Sequence, residues 1–251
     1  MTEYVFNAAE HPMSIPVVAS YNLALRVAAR QAFEFAQVGT GRGPLHKAGI
    51  LGSCILLADN PDYLEIGTQY GRTAILAGTL TRGHVYCIDP MEDLDDPDGE
   101  YGPGKRAHQG ETVLFKRNLR EFNVADRVTL IKEKSNPWPL AEDFGPIGVS
   151  YVDGDHSYEG ALWDLVQVAK ITTHYIVMDD HLKNAGAMTR GVREAIQTFL
   201  RTADKKWALI FADHVQAVLM NTETLDEQDP DNVTIFADNR WGHYAVSVVN
   251  D

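Results

Sequence analysis

Acidic residues end two of the apolar runs in the second half of the 251-residue chain. Asp153 follows the run "IGVSYV", and Asp179 with Asp180 follow "HYIVM". If the runs are neighbouring parallel strands, these carboxylates converge at one edge of the sheet. Such convergence raises carboxylate pKa values unless a cation compensates it, and oxygen ligands suit Mg2+, Ca2+ or Mn2+. We therefore predict that Asp153, Asp179 and Asp180 bind Mg2+ or another divalent cation.

A histidine lies close to the first of these acids along the chain. His156 comes three residues after Asp153, in the segment that leaves the same strand end. A neutral imidazole there could remove the proton of a substrate hydroxyl while the metal orients that hydroxyl. We predict His156 as the general base and Asp153 as the second catalytic residue, with Asp155 and His181 as competing bases. The simpler alternative is that His156 caps a helix and that the acids bond backbone N–H groups.

The stretch "YLEIGTQYGRTAIL", residues 63–76, carries an acid and two glycines where an apolar run gives way to a helical pattern. Glycines at such a turn let the backbone approach a ligand, and the following helix offers free N–H groups. The dinucleotide fingerprint G-x-G-x-x-G needs a middle glycine for the pyrophosphate, and Gln69 stands in its place. Glu65 would repel a pyrophosphate, whereas it suits a ligand that bears an amino group. The turn therefore favours an aminoacyl nucleoside, and Arg72 fits the helix surface, with a substrate contact as the alternative.

A second acid is placed to bind a ribose. Asp89 ends the run "HVYCID", 22 residues after Gly67. In dinucleotide-binding folds an acid about 20 residues beyond the turn receives ribose hydroxyls. This feature is common to NAD and other adenosine cofactors, and a G-x-x-x-G turn also arises by chance. Together with the acids on the same edge, it indicates a nucleoside site.

Short apolar runs separated by helical stretches must position these residues. Five of them are "YLEIG", "HVYCID", "RVTLI", "IGVSYVDGD" and "HYIVMDD". Most do not alternate with polar residues, which is typical of strands buried on both faces of a parallel sheet with crossover helices. Right-handed crossovers place the carboxyl ends of all these strands along one edge. Later runs, "KKWALIFA", "VQAVLMN" and "HYAVSVVN", predict further strands, but the pattern does not decide which of them closes the sheet.

The remaining segments predict a cap and a loop. Residues 16–38 have apolar side chains at roughly helical spacing, and "GTGRGP" follows them. We predict an N-terminal helical cap over residues 1–58 and the main domain over residues 59–251. Residues 91–110 are rich in Asp, Gly and Pro. They predict an exposed loop, with a mobile lid over the site as the alternative.

Composition limits the partners. The formal charge is −13, from 22 Lys and Arg against 35 Asp and Glu, and there is no basic run that could follow a phosphate backbone. We therefore predict neither nucleic acid nor a membrane as partner. No stretch of about 18 apolar residues and no secretory N-terminus occurs, and Cys54 and Cys87 fit buried thiols. We predict a cytoplasmic protein, with the apolar N-terminal helix as a plausible contact surface for a homo-oligomer.

Four motifs occur in an order that resembles a known family: "LEIGTQYG", "YCIDP", "YVDGDHSYEGALWDL" and "IVMDDH". Over about residues 60–200 the chain resembles class I S-adenosylmethionine-dependent methyltransferases. It is most similar to the small-molecule O-methyltransferases of the macrocin, mycinamicin and cephalosporin-pathway family. This resemblance implies a Rossmann-like class I methyltransferase fold, a mostly parallel seven-stranded sheet between helices with an N-terminal helical cap.

The resemblance also assigns roles to residues. It implies S-adenosylmethionine as cofactor. The methionine end would be bound by Glu65, Gly67, Thr68 and Gly71. The ribose would be bound by Asp89, and the adenine would lie near Ser135. Metal-dependent relatives carry acids at the positions of Asp153, Asp179 and Asp180, which strengthens the metal prediction.

The predicted reaction is in-line transfer of the sulfonium methyl group to a hydroxyl of a small molecule: a sugar, a phenol or another natural product. An NAD-linked oxidoreductase is one alternative, disfavoured by Gln69 and by the lack of a Tyr-x-x-x-Lys pair placed for hydride chemistry. A non-catalytic nucleoside-binding module is the other. Such a module would not need three acids and a histidine at one edge.

Overall fold

A computed structural model describes residues 45–58, 61–91, 111–181, 187–203, 206–212, 215–224, 232–238 and 243–249. The predicted helical stretch at 16–38, and nearly all of the predicted loop at 91–110, lie outside these residues. The helices are α1 Leu45–Leu57, α2 Arg72–Leu80, α3 Glu111–Glu121, α4 Tyr158–Ile171 and α5 Ala187–Thr202. The strands are β1 Tyr63–Ile66, β2 Val85–Ile88, β3 Val128–Ile131, β4 Ile147–Val152, β5 Thr172–Asp179, β6 Trp207–Ala212, β7 Gln216–Asn221, β8 Asn232–Asp238 and β9 His243–Val249.

Seven strands form one sheet in the order β3-β2-β1-β4-β5-β7-β6. The first five strands in this order are parallel, and β7 is antiparallel to both β5 and β6. The predicted mostly parallel seven-stranded sheet is therefore confirmed. The strand order reverses between β1 and β4, and in open α/β sheets ligands bind outside the carboxyl ends of the strands at such a point.

The late strands divide between two sheets. The runs "KKWALIFA" and "VQAVLMN" supply β6 and β7, which close the large sheet beyond β5. The last run supplies β9, which pairs with β8 in a separate antiparallel pair. Antiparallel pairing depends on which strand edges meet in space, and the hydrophobic pattern of a single run does not contain that information.

The core has two parts, one on each face of the sheet. Helices α1, α2 and α3 cover one face, and α4 and α5 cover the other. All side chains of β1 and β4 are buried, as the unalternating runs predict. Because α1 packs on the same core as β1 and β4, it fastens the end of the predicted cap to the sheet. The division into 1–58 and 59–251 stays a prediction.

Candidate active site

The turn after β1 is pressed against the end of β4. Gly67 has φ 84°, and a Cβ at this position would overlap the carbonyl oxygen of Asp153. The N–H of Gly67 donates to the Ile88 carbonyl at 2.9 Å, and the N–H of Asp153 donates to the Ile66 carbonyl at 2.8 Å. Only glycine fits this backbone. The turn and the segment after β4 therefore meet at one point of the sheet edge.

Gly71 is the second glycine that the turn requires. It precedes α2 with φ 82°, and a Cβ on it would lie 2.8 Å from the ring of Phe115 in α3. Left-handed backbone and the close ring both exclude a side chain. The G-x-x-x-G spacing therefore reflects backbone shape at both of its ends.

Asp89 holds this turn through backbone N–H groups. Its Oδ2 accepts hydrogen bonds from the N–H groups of Thr68 at 2.9 Å and Gln69 at 2.8 Å, and its Oδ1 accepts one from Met91 at 2.8 Å. A carboxylate has about four acceptor sites, so three are used. The ribose contact stays a prediction, and it would use the remaining acceptor capacity. The role of Asp89 in shaping the turn was not predicted.

Glu65 lies beneath the turn and is fully buried. Its Oε2 accepts a hydrogen bond from the Tyr63 hydroxyl at 3.0 Å, whereas its Oε1 has no partner of good geometry among the described residues. Burial raises the pKa of Glu65, and the neighbouring hydroxyls of Thr68 and Thr73 oppose that shift. A nearby cationic group would favour the ionised form of this carboxyl.

At the carboxyl ends of β4 and β5, two acidic side chains lie beside the imidazole of His156. His156 Nε2 lies 3.1 Å from Asp153 Oδ1, and His156 Nδ1 lies 3.8 Å from Asp180 Oδ2. Ligand atoms of these three residues lie within 4.8 Å of one another, which is a separation that one metal ion could bridge. The predicted residues Asp153 and Asp180 are thus brought together, with His156 between them.

Asp179 does not belong to this group of ligand atoms. It is buried, and its carboxylate charge and its hydrogen bond with Tyr151 add to the burial that raises the pKa of that tyrosine. Consecutive side chains of a strand point to opposite faces. Asp180, just past the end of β5, has φ 53°, a left-handed conformation in which its side chain departs from this alternation. Within the described chain, the group of possible metal ligands therefore contains His156 where the sequence suggested Asp179.

Arg72, at the start of α2, faces these acids. It is half-buried, which lowers its pKa, and the nearby groups Tyr151, Asp153 and Asp179 oppose that shift. An arginine therefore compensates part of the negative charge at the edge. A helical pattern shows only that Arg72 begins a helix, so its position opposite β4 and β5 could not be predicted.

Of the three candidate bases, His156 is the one at the acid cluster. The hydrogen bond with Asp153 raises its pKa, burial opposes this, and the charges of Asp153, Asp180 and Asp179 add to the rise. Asp155 is exposed, and its Oδ1 accepts from the N–H of Ser157 at 2.8 Å, so it shapes the start of α4. His181 is buried, and its backbone N–H donates to the Val215 carbonyl at 3.0 Å.

Ser135 lies in the segment after β3, which reaches α4. Its carbonyl oxygen accepts hydrogen bonds from Trp163 Nε1 and from the N–H of Trp138, both at 2.9 Å. Beside it lies Asp164, a buried acid that had no predicted role. A signal for it exists in the sequence, because Asp164 lies at helical spacing from the buried residues Ala161 and Val168 and so belongs to the apolar face of α4.

The chain matches a known family over this region. Residues 64–181 match the model of a methyltransferase domain, and they contain every predicted site residue. The sheet order and the site at its reversal point agree with this match. The predicted resemblance to methyltransferases of class I, the class that uses S-adenosylmethionine, is therefore confirmed over these residues. No curated protein shows significant sequence similarity to the chain.

Solved structures share the fold at low sequence identity. The O-methyltransferase NovP has a TM-score of 0.55 and 20% identity, with 74% of this chain and 83% of NovP covered. TomG, an O-methyltransferase from Streptomyces achromogenes in complex with S-adenosylmethionine, has a TM-score of 0.51 and 13% identity, with 98% and 96% covered. A putative rRNA-methylase from Clostridium thermocellum has a TM-score of 0.51 and 16% identity, with 73% and 100% covered. At these identities the likeness shows the fold and leaves the methyl acceptor open.

None of the described helices is both long enough and apolar enough to cross a membrane.

Proposed function

We propose that the protein transfers the methyl group of S-adenosylmethionine to a hydroxyl of a small molecule. The contact of Gly67 with the Asp153 backbone carries this proposal. It joins the turn suited to the cofactor directly to the cluster suited to the acceptor. Holding two reactants next to each other supplies a large part of the rate of a transfer reaction.

The residues of the turn fit the cofactor chemically. Glu65 is a buried carboxyl with an oxygen that lacks a good partner, and a cationic amino group nearby would stabilise its charge. Thr68 and Gly71 complete the turn at the methionine end, and Asp89 has acceptor capacity left for a ribose hydroxyl. Gln69 in place of a glycine argues against a pyrophosphate.

A divalent cation is the second part of the proposal. Asp153 and Asp180 would hold Mg2+ or another divalent ion, and their negative charge and oxygen donors suit it. When bound, such an ion lowers the pKa of an acceptor hydroxyl and orients it. Asp179 would be the third ligand of the ion. His156 would take the proton of the acceptor hydroxyl. The distances also support a second arrangement, in which His156 itself is the third ligand.

The acceptor would be a hydroxylated metabolite such as a sugar, a phenol or another natural product. The formal charge of −13 disfavours a nucleic acid, because it would repel a phosphate backbone. NovP and TomG, which share the fold, are O-methyltransferases. A cytoplasmic location, supported by the buried free thiols of Cys54 and Cys87, and a homo-oligomer belong to the same proposal.

Calorimetry on the full chain tests the cofactor, with S-adenosylhomocysteine, NAD and each in the presence of Mg2+ or EDTA. We expect saturable binding of S-adenosylhomocysteine and none of NAD. Incubation with S-adenosylmethionine and a panel of sugars and phenols should then add one methyl group to a hydroxyl, as seen by mass spectrometry. Binding of NAD without any response to S-adenosylhomocysteine would contradict the proposal.

The two metal arrangements are separated by variants. If His156 is a ligand, His156→Ala should weaken Mn2+ binding, and excess Mn2+ should restore activity. If Asp179 is the ligand and His156 the base, Asp179→Asn should weaken Mn2+ binding and His156→Ala should stay inactive at any Mn2+ concentration. Full activity in EDTA would remove the metal from the proposal and leave methyl transfer in place.

A further inference from the structure

Helix α3 packs against the turn that follows β1. Phe115, Asn118 and Leu119 are buried on this helix, and their i, i+3 and i+4 spacing places them on one face. A ring atom of Phe115 and Cδ2 of Leu119 lie 2.8 Å and 3.7 Å from the point that a Cβ on Gly71 would occupy. The face of α3 that meets the turn is therefore apolar at Phe115 and Leu119 and polar at Asn118.

Asn118 donates a hydrogen bond to the backbone of the turn. Its Nδ2 lies 3.0 Å from the carbonyl oxygen of Tyr70. The N–H of the same peptide unit belongs to Gly71 and donates to the Thr68 carbonyl at 2.8 Å. A peptide unit is planar, so its orientation is fixed when both its C=O and its N–H are bonded. Asn118 supplies one of these two bonds from a position 48 residues away in the chain.

The residues on both sides of this peptide unit include two with left-handed backbone. Gln69 has φ 49° and Gly71 has φ 82°. Left-handed backbone is costly for a residue with a side chain, so Gln69 keeps it only where neighbouring groups hold the turn. Asp89 holds the first half of the turn through the N–H groups of Thr68 and Gln69. Asn118 is the corresponding support of the second half.

The second half of the turn leads directly into α2, which begins at Arg72. The first N–H groups of a helix have no partner within the helix and can bind a ligand. Glu65, a buried acid with one oxygen that lacks a partner of good geometry among the described residues, lies beneath the same turn. In the proposed function this region binds the amino-acid end of the cofactor. A shift of the Tyr70–Gly71 peptide would therefore move the groups that bind that end.

We propose that Asn118 is a positioning residue of the cofactor site, which fixes the Tyr70–Gly71 peptide and so orders the part of the turn that receives the amino-acid end of S-adenosylmethionine. This inference rests on the proposed function and adds to it a residue that acts through the backbone of the turn. A turn already in its binding conformation loses less freedom when a ligand binds. Loss of the donor lowers the fraction of protein with such a turn, and the apparent affinity falls with that fraction.

The test compares two ligands on the full chain. S-adenosylhomocysteine has the amino-acid end, whereas 5′-methylthioadenosine has the same adenosine and a thioether without it. Asn118→Leu removes the donor and keeps a side chain of similar size that suits a helix. We expect the variant to bind S-adenosylhomocysteine about 5-fold to 50-fold more weakly than the wild type, because the Tyr70 carbonyl loses its hydrogen bond. The affinity for 5′-methylthioadenosine should stay within about 3-fold, because its binding does not need the amino-acid half of the turn.

Calorimetry measures the binding of S-adenosylhomocysteine, and its displacement by 5′-methylthioadenosine measures the weaker ligand. Asn118→Ala is a second test variant, which also lacks the donor and cannot overfill the site. A thermal unfolding midpoint confirms that each variant is folded.

Two other variants are controls. Gln197→Leu removes an exposed amide from α5 and should keep both wild-type affinities. Asp89→Ala should weaken both ligands, because both contain the ribose that Asp89 is predicted to bind. It therefore shows that the assay detects a loss at the adenosine end.

The outcomes separate this inference from the proposed function. A folded Asn118→Leu or Asn118→Ala variant that loses both ligands by the same factor would show a general structural role and overturn the inference. Unchanged affinity for S-adenosylhomocysteine in a folded variant would overturn it as well. In both cases binding by the wild type would leave the proposed cofactor in place. Absence of S-adenosylhomocysteine binding by the wild type would overturn the proposed cofactor and this inference with it.

Discussion

The two sides of the reversal point between β1 and β4 use their carboxylates differently. On the β1–β2 side, Asp89 accepts hydrogen bonds from three backbone N–H groups and thereby shapes the turn after β1. On the β4–β5 side, Asp153 and Asp180 face the imidazole of His156. A carboxylate bound to backbone builds a rigid cradle, whereas carboxylates that face side chains remain available for chemistry. The difference teaches that an acid at a strand end is not by itself a ligand-binding acid.

The largest expected effect comes from the β4–β5 side. His156→Ala should lower kcat by about 100-fold to 10,000-fold, or about 2.7 to 5.4 kcal/mol of barrier, because general-base removal has costs of that size. The affinity for S-adenosylhomocysteine should stay nearly unchanged, since the turn on the β1–β2 side is intact. Steady-state kinetics and calorimetry measure the two quantities.

The control for this variant is His174→Ala, at the opposite end of β5, which should keep wild-type kcat. If His156→Ala left kcat near normal, the base would be Asp155 or His181, or no side chain. If His156→Ala weakened cofactor binding as strongly as it lowered kcat, the residues of the two sides would not act independently.

Gly67→Ala should break the contact that joins the two sides. A Cβ would overlap the Asp153 carbonyl at a residue with φ 84°, so we expect a loss of about 2 to 5 kcal/mol in the free energy of unfolding. Chemical denaturation measures it. Gly145→Ala is the matched control, because a Cβ there would meet nothing within 4 Å. Equal stability of the two variants would mean that the turn tolerates a shift away from β4.

The buried carboxyl of Asp164 in α4 gives a prediction for how the free energy of unfolding depends on pH. The pKa of Asp164 is raised by burial from 3.8 to about 6 in the folded protein, so the folded state holds its proton more tightly than the unfolded state. The free energy of unfolding should therefore fall as pH rises from about 4 to 6, and a shift of that size corresponds to at most about 3 kcal/mol. Asp164→Asn should remove this part of the pH dependence. Urea titrations of both proteins at several pH values measure it, and identical slopes would contradict the prediction.

Asp89→Ala should have the smallest of these effects. It removes the acceptor of three backbone hydrogen bonds and the predicted ribose contact, so S-adenosylhomocysteine binding should weaken by about 1.5 to 3 kcal/mol. Calorimetry measures this, with Asp126→Ala as an exposed control. Comparison with a ligand that lacks the ribose hydroxyls sharpens the result. If wild type and variant differ equally for both ligands, Asp89 acts through the turn alone.

Much of the fold could be predicted because the signals are local. Unalternating apolar runs indicated strands buried on both faces, and all the side chains of β1 and β4 are buried. Right-handed crossovers then placed Glu65, Asp89 and Asp153 at one edge without any knowledge of their contacts. The pairing of β6 and β7, in contrast, depends on which edges meet after the chain has folded.

The candidate site, like the fold, was predictable where local sequence decides and not where tertiary contacts decide. The sequence by itself determined which residue types stand at the strand ends and that Gly67 and Gly71 occupy a turn, because spacing and backbone preference act over a few residues. Tertiary structure decided that Asp89 supports the turn, that Arg72 faces the acids and that His156 lies between Asp153 and Asp180. These outcomes depend on side-chain direction, which changes with one left-handed residue such as Asp180 and with the strand that pairs beside it. Neighbours far apart in the chain set that direction, and no local pattern records them.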